Sequence, residues 1–241
     1  MFEFSLSPDW APRCAVFDCD GVILDSETTW GQIQGQVFKG WGVDYTPELQ
    51  ASLVGYTAYD VARHLAELSQ PAGLTDLGKQ EHYQQVLTDL LATERATIEA
   101  GVDEIPGAIA LIKKLAQHIP VAVASNSTAP VLETKIRAAG LSDVLTTWVS
   151  SDDVAKGKPA PDIYLEAVRR LDGRPELTLT LEDSVAGLTA AIAAGTQPLV
   201  YLGEPTDKPL LLTAGVGRCD SFTDPQLLAQ VERWFSTGSP Q

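Results

Sequence analysis

Basic residues are scarce in this 241-residue chain: 17 lysines and arginines face 32 acids, for a formal net charge of −15. Such a surface repels nucleic acid and anionic lipid, and no local Lys/Arg cluster offsets it. Neither nucleic acid nor membrane is therefore an expected partner. Free phosphate esters are also repelled at long range, so any phosphate site must rely on local donors. Cysteine is scarce too. Cys14, Cys19 and Cys219 are an odd number without metal-ligand spacing, which points to buried free thiols in a reducing compartment. No apolar run approaches the roughly 18 residues needed to span a bilayer. The opening Met1-Phe2-Glu3-Phe4-Ser5 lacks the basic start and apolar stretch of a secretory signal. Cytoplasm is the expected location. Neither an internal repeat nor a low-complexity segment is visible.

The length suits one large domain, or one core with a modest insertion, and buries a sizeable core without staples. Apolar runs recur at Ala15-Val16-Phe17, Val121–Ala124, Thr147–Val149, Leu177–Leu181 and Pro198–Tyr201. Helical patterns lie between the later ones, at Pro130–Ala139, Asp162–Leu171 and Val185–Ala194, with Gly140 and Gly195 placed to end the first and last. Strand–helix alternation predicts an α/β fold with a Rossmann-like parallel sheet covered on both faces. The interval from Thr28 to about Ala100 differs. It holds amphipathic stretches at Gln32–Lys39, Pro47–Leu53, Tyr59–Leu68 and Lys79–Glu99 and no convincing strand. This reads as an all-helical cap at residues 28–100, inserted into an α/β core of residues 1–27 and 101–241. The joints fall near Ser26–Thr29 and Gly101–Pro106.

Four segments sit where a strand gives way to a helix. In the first, Phe17-Asp18-Cys19-Asp20-Gly21-Val22-Ile23-Leu24-Asp25-Ser26-Glu27, two acids close a buried strand. Open α/β sheets bind ligands at such strand ends, and a divalent cation relieves crowded carboxylates; an Asp-rich turn is the bland alternative. The second, Ser125-Asn126-Ser127-Thr128, opens a helix, either cradling phosphate oxygens or serving as an ordinary cap. In the third, Lys156-Gly157-Lys158-Pro159-Ala160-Pro161-Asp162, prolines fix a lysine that would neutralise phosphate and orient a carboxylate. The fourth, Leu181-Glu182-Asp183-Ser184, ends a strand in two acids that either complete a metal's oxygen shell or cap a helix.

All four in this order resemble the haloacid dehalogenase-like hydrolase superfamily, in the branch with a helical cap between the first and second motifs. The likeness is nearest to the β-phosphoglucomutase-like and sugar-phosphate phosphatase group, whose members share the opening Asp-x-Asp-Gly-Val-x-x-Asp-Ser-Glu. The resemblance implies a HAD-like fold, Mg2+ as cofactor and these roles. Asp18 is the nucleophile and a metal ligand. Asp20 is the general acid and then the base, with its backbone carbonyl on the metal. Ser125 and the Asn126 N–H hold the phosphoryl group, and Lys158 shields it from Asp18. Asp183 binds the metal directly, while Glu182 ligates it through water or supports Lys158.

Asp20 also decides the reaction class within this resemblance. Dehalogenases of the superfamily lack that second acid and phosphonatases replace it, so phosphoryl chemistry is implied. β-Phosphoglucomutases carry a cap histidine twelve residues after the nucleophile, where this chain has Trp30. They also carry an arginine in a Gly-x-x-Arg cap loop; here the loop reads Gly55-Tyr56-Thr57-Ala58. The expected activity is therefore hydrolysis of a small phosphorylated metabolite, with a phosphosugar mutase as the alternative. A non-enzymatic binding module is the third reading. Trp30, Tyr56 and Thr57 are the candidate cap contacts to substrate. His64, His82 and His118 neighbour no motif and read as surface or packing residues. Cys19 points away from the two acids by strand alternation, and Trp41 belongs to a cap core. No additional hydrophobic face is evident, so a monomer is expected.

Overall fold

The structure, a computed structural model, describes residues 2–3, 10–53, 56–203 and 217–236, with residues 26–28 described by backbone alone. Among these, seven strands form one sheet: β1 (Phe2–Glu3), β2 (Cys14–Phe17), β3 (Val121–Ala124), β4 (Thr147–Val149), β5 (Thr178–Glu182), β6 (Gln197–Tyr201) and β7 (Gly217–Cys219). Their order is β1-β7-β6-β5-β2-β3-β4. Every pairing is parallel except β1 with β7. Strands β2, β3 and β5 are buried along their whole length, as expected for a parallel sheet covered on both faces; their near-continuous apolar runs follow from that burial.

Side chains alternate between two apolar clusters. Ala15, Phe17, Val121, Val123, Leu179 and Leu181 face one cluster. It is completed by α5 (Ala108–Ala116), α6 (Ala129–Ala138) and α9 (Pro225–Phe235). Cys14, Val16, Ala122, Ala124 and Val149 face the other. There α7 (Asp162–Arg170) and α8 (Val185–Ala193) cover the sheet. The chain runs outward from β2 through β3 to β4 and then returns to β5 on the other side of β2. That reversal leaves a crevice at the carboxyl end of β2, the place where such sheets take ligands.

Helices α1 (Ser26–Gly40), α2 (Pro47–Ser52), α3 (Ala58–Ser69) and α4 (Asp76–Ala100) gather around a separate cluster that includes Ile33, Phe38, Val61, Leu65, Val86 and Leu90. A reciprocal capping box between Thr57 and Asp60 starts α3. Helix α4 then reaches across to pack on α6. The two connections to this block run side by side: the Asp25 N–H donates to the Asp103 carbonyl and the Ile105 N–H to the Ile23 carbonyl, both at 2.8 Å.

Element bounds differ from the sequence reading mainly at helix starts. Helix α1 begins at Ser26 rather than Gln32, because its first turn, Ser26-Glu27-Thr28-Thr29, carries no apolar stripe of its own. Strands β1 and β7 and helices α5 and α9 add to the elements read from sequence. Neither Phe2-Glu3 nor Gly217-Arg218-Cys219 forms an apolar run that stands out in the sequence. Helix α5 does carry a readable periodicity, with Ala108, Leu111, Ile112 and Leu115 buried at helical spacing.

Candidate active site

Asp18 follows the last residue of β2, where its N–H donates to the Leu181 carbonyl at 2.9 Å. Its carboxylate is buried and accepts from the Cys19 N–H at 2.7 Å. The Lys158 ammonium lies 2.7 Å from Asp18 Oδ1 and 2.7 Å from Glu182 Oε1. Burial pushes the Asp18 carboxyl well above the ordinary carboxylate range; Lys158 pulls it down, while Glu182, Asp183 and Asp20 push it further up. For Lys158, burial favours loss of the proton, but Asp18 and Glu182 outweigh it and raise its pKa.

The Lys158 loop is held in place by Asn126. Its side-chain amide accepts from the Lys158 N–H at 2.9 Å and donates to the Lys158 carbonyl at 3.2 Å. Gly157 makes that clamp sterically feasible, since a Cβ there would come 2.5 Å from Asn126 Oδ1. The Asn126 side chain is thereby spent on positioning, and only its backbone N–H is left for a ligand.

Asp18, Glu182 and Asp183 each offer a carboxylate oxygen within 4.8 Å of the others. Three buried acids against one ammonium leave excess negative charge, and an all-oxygen set of this kind suits a hard divalent cation. Glu182 is already saturated. Its Oε1 meets Lys158 and the Tyr164 hydroxyl, and its Oε2 accepts from the Asp183 N–H at 3.1 Å and the Ser184 hydroxyl at 3.1 Å. This fits an orienting role better than direct ligation. Gly21, at φ +75°, permits the approach of Asp183, whose Oδ2 would lie 2.2 Å from a Cβ there.

The Asp20 carboxylate turns away from this cluster. It accepts from the Ser125 hydroxyl at 3.0 Å and the Ser127 hydroxyl at 3.1 Å, and pairs with the Lys135 ammonium at 2.6 Å. Lys135 in turn lies 3.8 Å from Glu94 Oε1. Neither Lys135 on α6 nor Glu94 on α4 was singled out from sequence. Each carried a readable signal, a charged residue in an apolar register: Lys135 beside Val131, Leu132 and Ile136, Glu94 beside Leu87, Leu90 and Ile98. Burial pushes the Glu94 carboxyl up to about 7, with Lys135 opposing and Asp20 adding to the rise.

That shift has a stability consequence. Glu94 binds its proton more tightly in the folded than in the unfolded chain, so stability falls as pH climbs from about 4.5 to about 7 and then levels off. Glu94→Gln removes the titration. Urea unfolding at a series of pH values should show the variant gaining on the wild type across that window, by up to about 3 kcal/mol. A difference that stays flat with pH would contradict the assignment.

These groups line a cavity of about 540 Å3, which also takes in Trp30, Tyr56, Thr57, Asn126, Thr128 and Ser184. Tyr56 is half exposed. The Thr57 hydroxyl is committed to Asp60 at 2.6 Å, so its capping duty competes with substrate contact. Gly55 of the cap loop, and the side chains of Ser26 and Glu27, lie outside the described residues. None of the three histidines lines the cavity. His82 packs against Trp41, and His118 stacks on Phe235. Cys19 is buried in the apolar cluster beneath the sheet, and no described helix is long and apolar enough to cross a membrane.

Comparison with known proteins places this geometry. Residues 12–195 match the haloacid dehalogenase-like hydrolase family. A bifunctional riboflavin kinase/FMN phosphatase of Arabidopsis thaliana is 31% identical over 223 residues, which are 92% of this chain and 55% of that longer protein. A fructose-1-phosphate phosphatase of Escherichia coli (strain K12) is 28% identical, covering 75% of this chain and 91% of that one. Among solved structures, CbbY from Rhodobacter sphaeroides in complex with phosphate superposes with a TM-score of 0.69 at 28% identity, over 92% of this chain and 99% of that one. The strand order, the crevice beside β2 and the four junction segments thus have a common origin with these proteins: the chain belongs to the haloacid dehalogenase-like hydrolase family.

Proposed function

We propose that this chain is a Mg2+-dependent phosphatase that hydrolyses a small phosphorylated metabolite, a sugar phosphate or similar, through an aspartyl-phosphate on Asp18. The observation that carries the reading is the pairing of two acids with different surroundings. Asp18 is buried and aimed by Lys158 and the Cys19 N–H, whereas Asp20 is turned by two hydroxyls and Lys135 towards the cavity. An Asp18 oxygen attacks phosphorus while Asp20 gives its proton to the departing oxygen. Asp20 then takes a proton from water as that water opens the acyl phosphate and releases inorganic phosphate. Ser125, the Asn126 N–H and Lys158 hold the transferring group. Asp18, the Asp20 carbonyl and Asp183 would hold Mg2+, with Glu182 behind them. The ion's charge would lower the repulsion between phosphate and the acids.

Residues 28–100 act in this reading as a cap over a core of residues 1–27 and 101–241, and its closure would exclude bulk water. A monomer working in the cytoplasm suffices, since every proposed group comes from one chain. The mutase alternative needs a grip on a second phosphate. Among the described residues lining the cavity the cations are Lys135 and Lys158, both paired with acids. Ala58 stands where the cap arginine would be. The binding-module reading would lead one to expect loss of Asp18, Asp20, Lys158 or Asp183, and all four are present.

The test is phosphate release from a panel of phosphorylated metabolites, with Mg2+ and with chelator. Mg2+-dependent release is the expected result. Isomerisation of β-glucose 1-phosphate to glucose 6-phosphate well above phosphate release would sink the reading in favour of a mutase.

A further inference from the structure

Two polar groups in the cavity wall have work left undone. Glu94, nine-tenths buried on α4, lines the cavity and pairs with Lys135 at 3.8 Å, too long for a hydrogen bond, and no described residue hydrogen-bonds its carboxylate. The hydroxyl of Thr128, at the start of α6, is buried in the same wall and has no hydrogen-bond partner among the described residues. A buried carboxylate on a cavity wall with no hydrogen-bond donor of its own is an acceptor left for a ligand. The charge balance points the same way. Four acids line the cavity (Asp18, Asp20, Asp183 and Glu94). The two lysines among the described lining residues are both committed, Lys158 to Asp18 and Glu182, and Lys135 to Asp20. The rest of the far wall is largely apolar, from Trp30, Ile33, Leu53, Ile98 and Val102.

We propose that Glu94 is the specificity-determining residue of this site: its carboxyl group hydrogen-bonds a hydroxyl of an uncharged, polyhydroxy leaving group, and no second anionic group is accepted there. This rests on the phosphatase reading. Phosphorylated sugars and polyols are then substrates, whereas bisphosphates and phosphorylated carboxylic acids are excluded. Above about pH 7, where Glu94 is ionised, it repels the extra anion, and no free ammonium or guanidinium among the described lining residues meets it.

The matched probes are sorbitol 6-phosphate and 6-phosphogluconate, which share a six-carbon skeleton and differ by a terminal carboxylate, together with p-nitrophenyl phosphate, which has no hydroxyl donor. With the full chain and Mg2+ at about pH 8.5, where Glu94 is ionised, kcat/KM should favour sorbitol 6-phosphate over 6-phosphogluconate by at least about tenfold. Glu94→Gln, which removes the charge, should bring that ratio down towards one. Glu94→Leu should lower the ratio of sorbitol 6-phosphate to p-nitrophenyl phosphate by about tenfold. A purely structural role for Glu94 would change all esters by a common factor and leave both ratios intact, which would overturn the proposal. Should neither variant fold, the wild-type preference decides, and a ratio near one overturns it. Phosphate release without discrimination removes this inference alone. Absence of release from every ester, p-nitrophenyl phosphate included, removes the phosphatase reading and this inference with it.

Discussion

Asp18→Asn should lower phosphate release by on the order of 10,000-fold or more while the chain still folds. The amide has the shape of the carboxylate but no charge with which to attack phosphorus. It also keeps an oxygen able to accept from the Cys19 N–H, now at 2.7 Å, so the strand end is still closed. Lys158 loses one partner and retains Glu182 at 2.7 Å. Release is read by inorganic phosphate against time for the best ester of the panel. A second readout comes from linkage: the rise in melting temperature caused by Mg2+ should shrink, because one proposed ligand has lost its charge. Residual turnover within about tenfold of the wild type would move the nucleophile elsewhere.

The second large effect is expected at Lys158. Its ammonium is nearly inaccessible and bridges Asp18 and Glu182. Lys158→Met fills much of the same volume, so packing is largely spared and the change isolates the charge. Two buried carboxylates are then left facing each other, and breaking a buried pair in this way costs about 3–5 kcal/mol. Urea unfolding should show that loss. Phosphate release should fall by about 1,000-fold, since the positive charge beside the reacting groups is gone. A stability change below about 1 kcal/mol would mean that the acids are already neutralised by protonation, and that Lys158 is not what holds them.

The two predictions concern groups that were visible in the sequence; the environment that gives them their size was not. Asp18 and Asp183 stand out because each follows a short apolar run and opens a turn, and Lys158 because prolines follow it at 159 and 161; those signals are local. Asn126 was legible as part of a helix opening, but its use as a clamp on the Lys158 backbone appears only once residues 32 positions apart meet. Thr57, read as a candidate substrate contact, lines the cavity, and its hydroxyl also bonds Asp60 three residues on. That capping pattern is itself short-range and could have been read. Lys135 and Glu94 stand in the apolar registers of their helices, a signal the sequence carries, but which groups they meet there depends on how α4 and α6 pack.

By itself the sequence determined the α/β class, the all-helical interval and the four strand-to-helix junctions. These follow from residue spacing, and periodicity and turn chemistry act over a few residues. Tertiary structure alone decided the strand order around β2, the pairing of β1 with β7, and the Asp20–Lys135–Glu94 chain that joins α6 and α4 at the cavity. The physical reason is that desolvation and charge pairing depend on distance in space. Asp20 and Lys135, 115 residues apart in the chain, stand 2.6 Å apart in the fold, and no local pattern encodes that proximity.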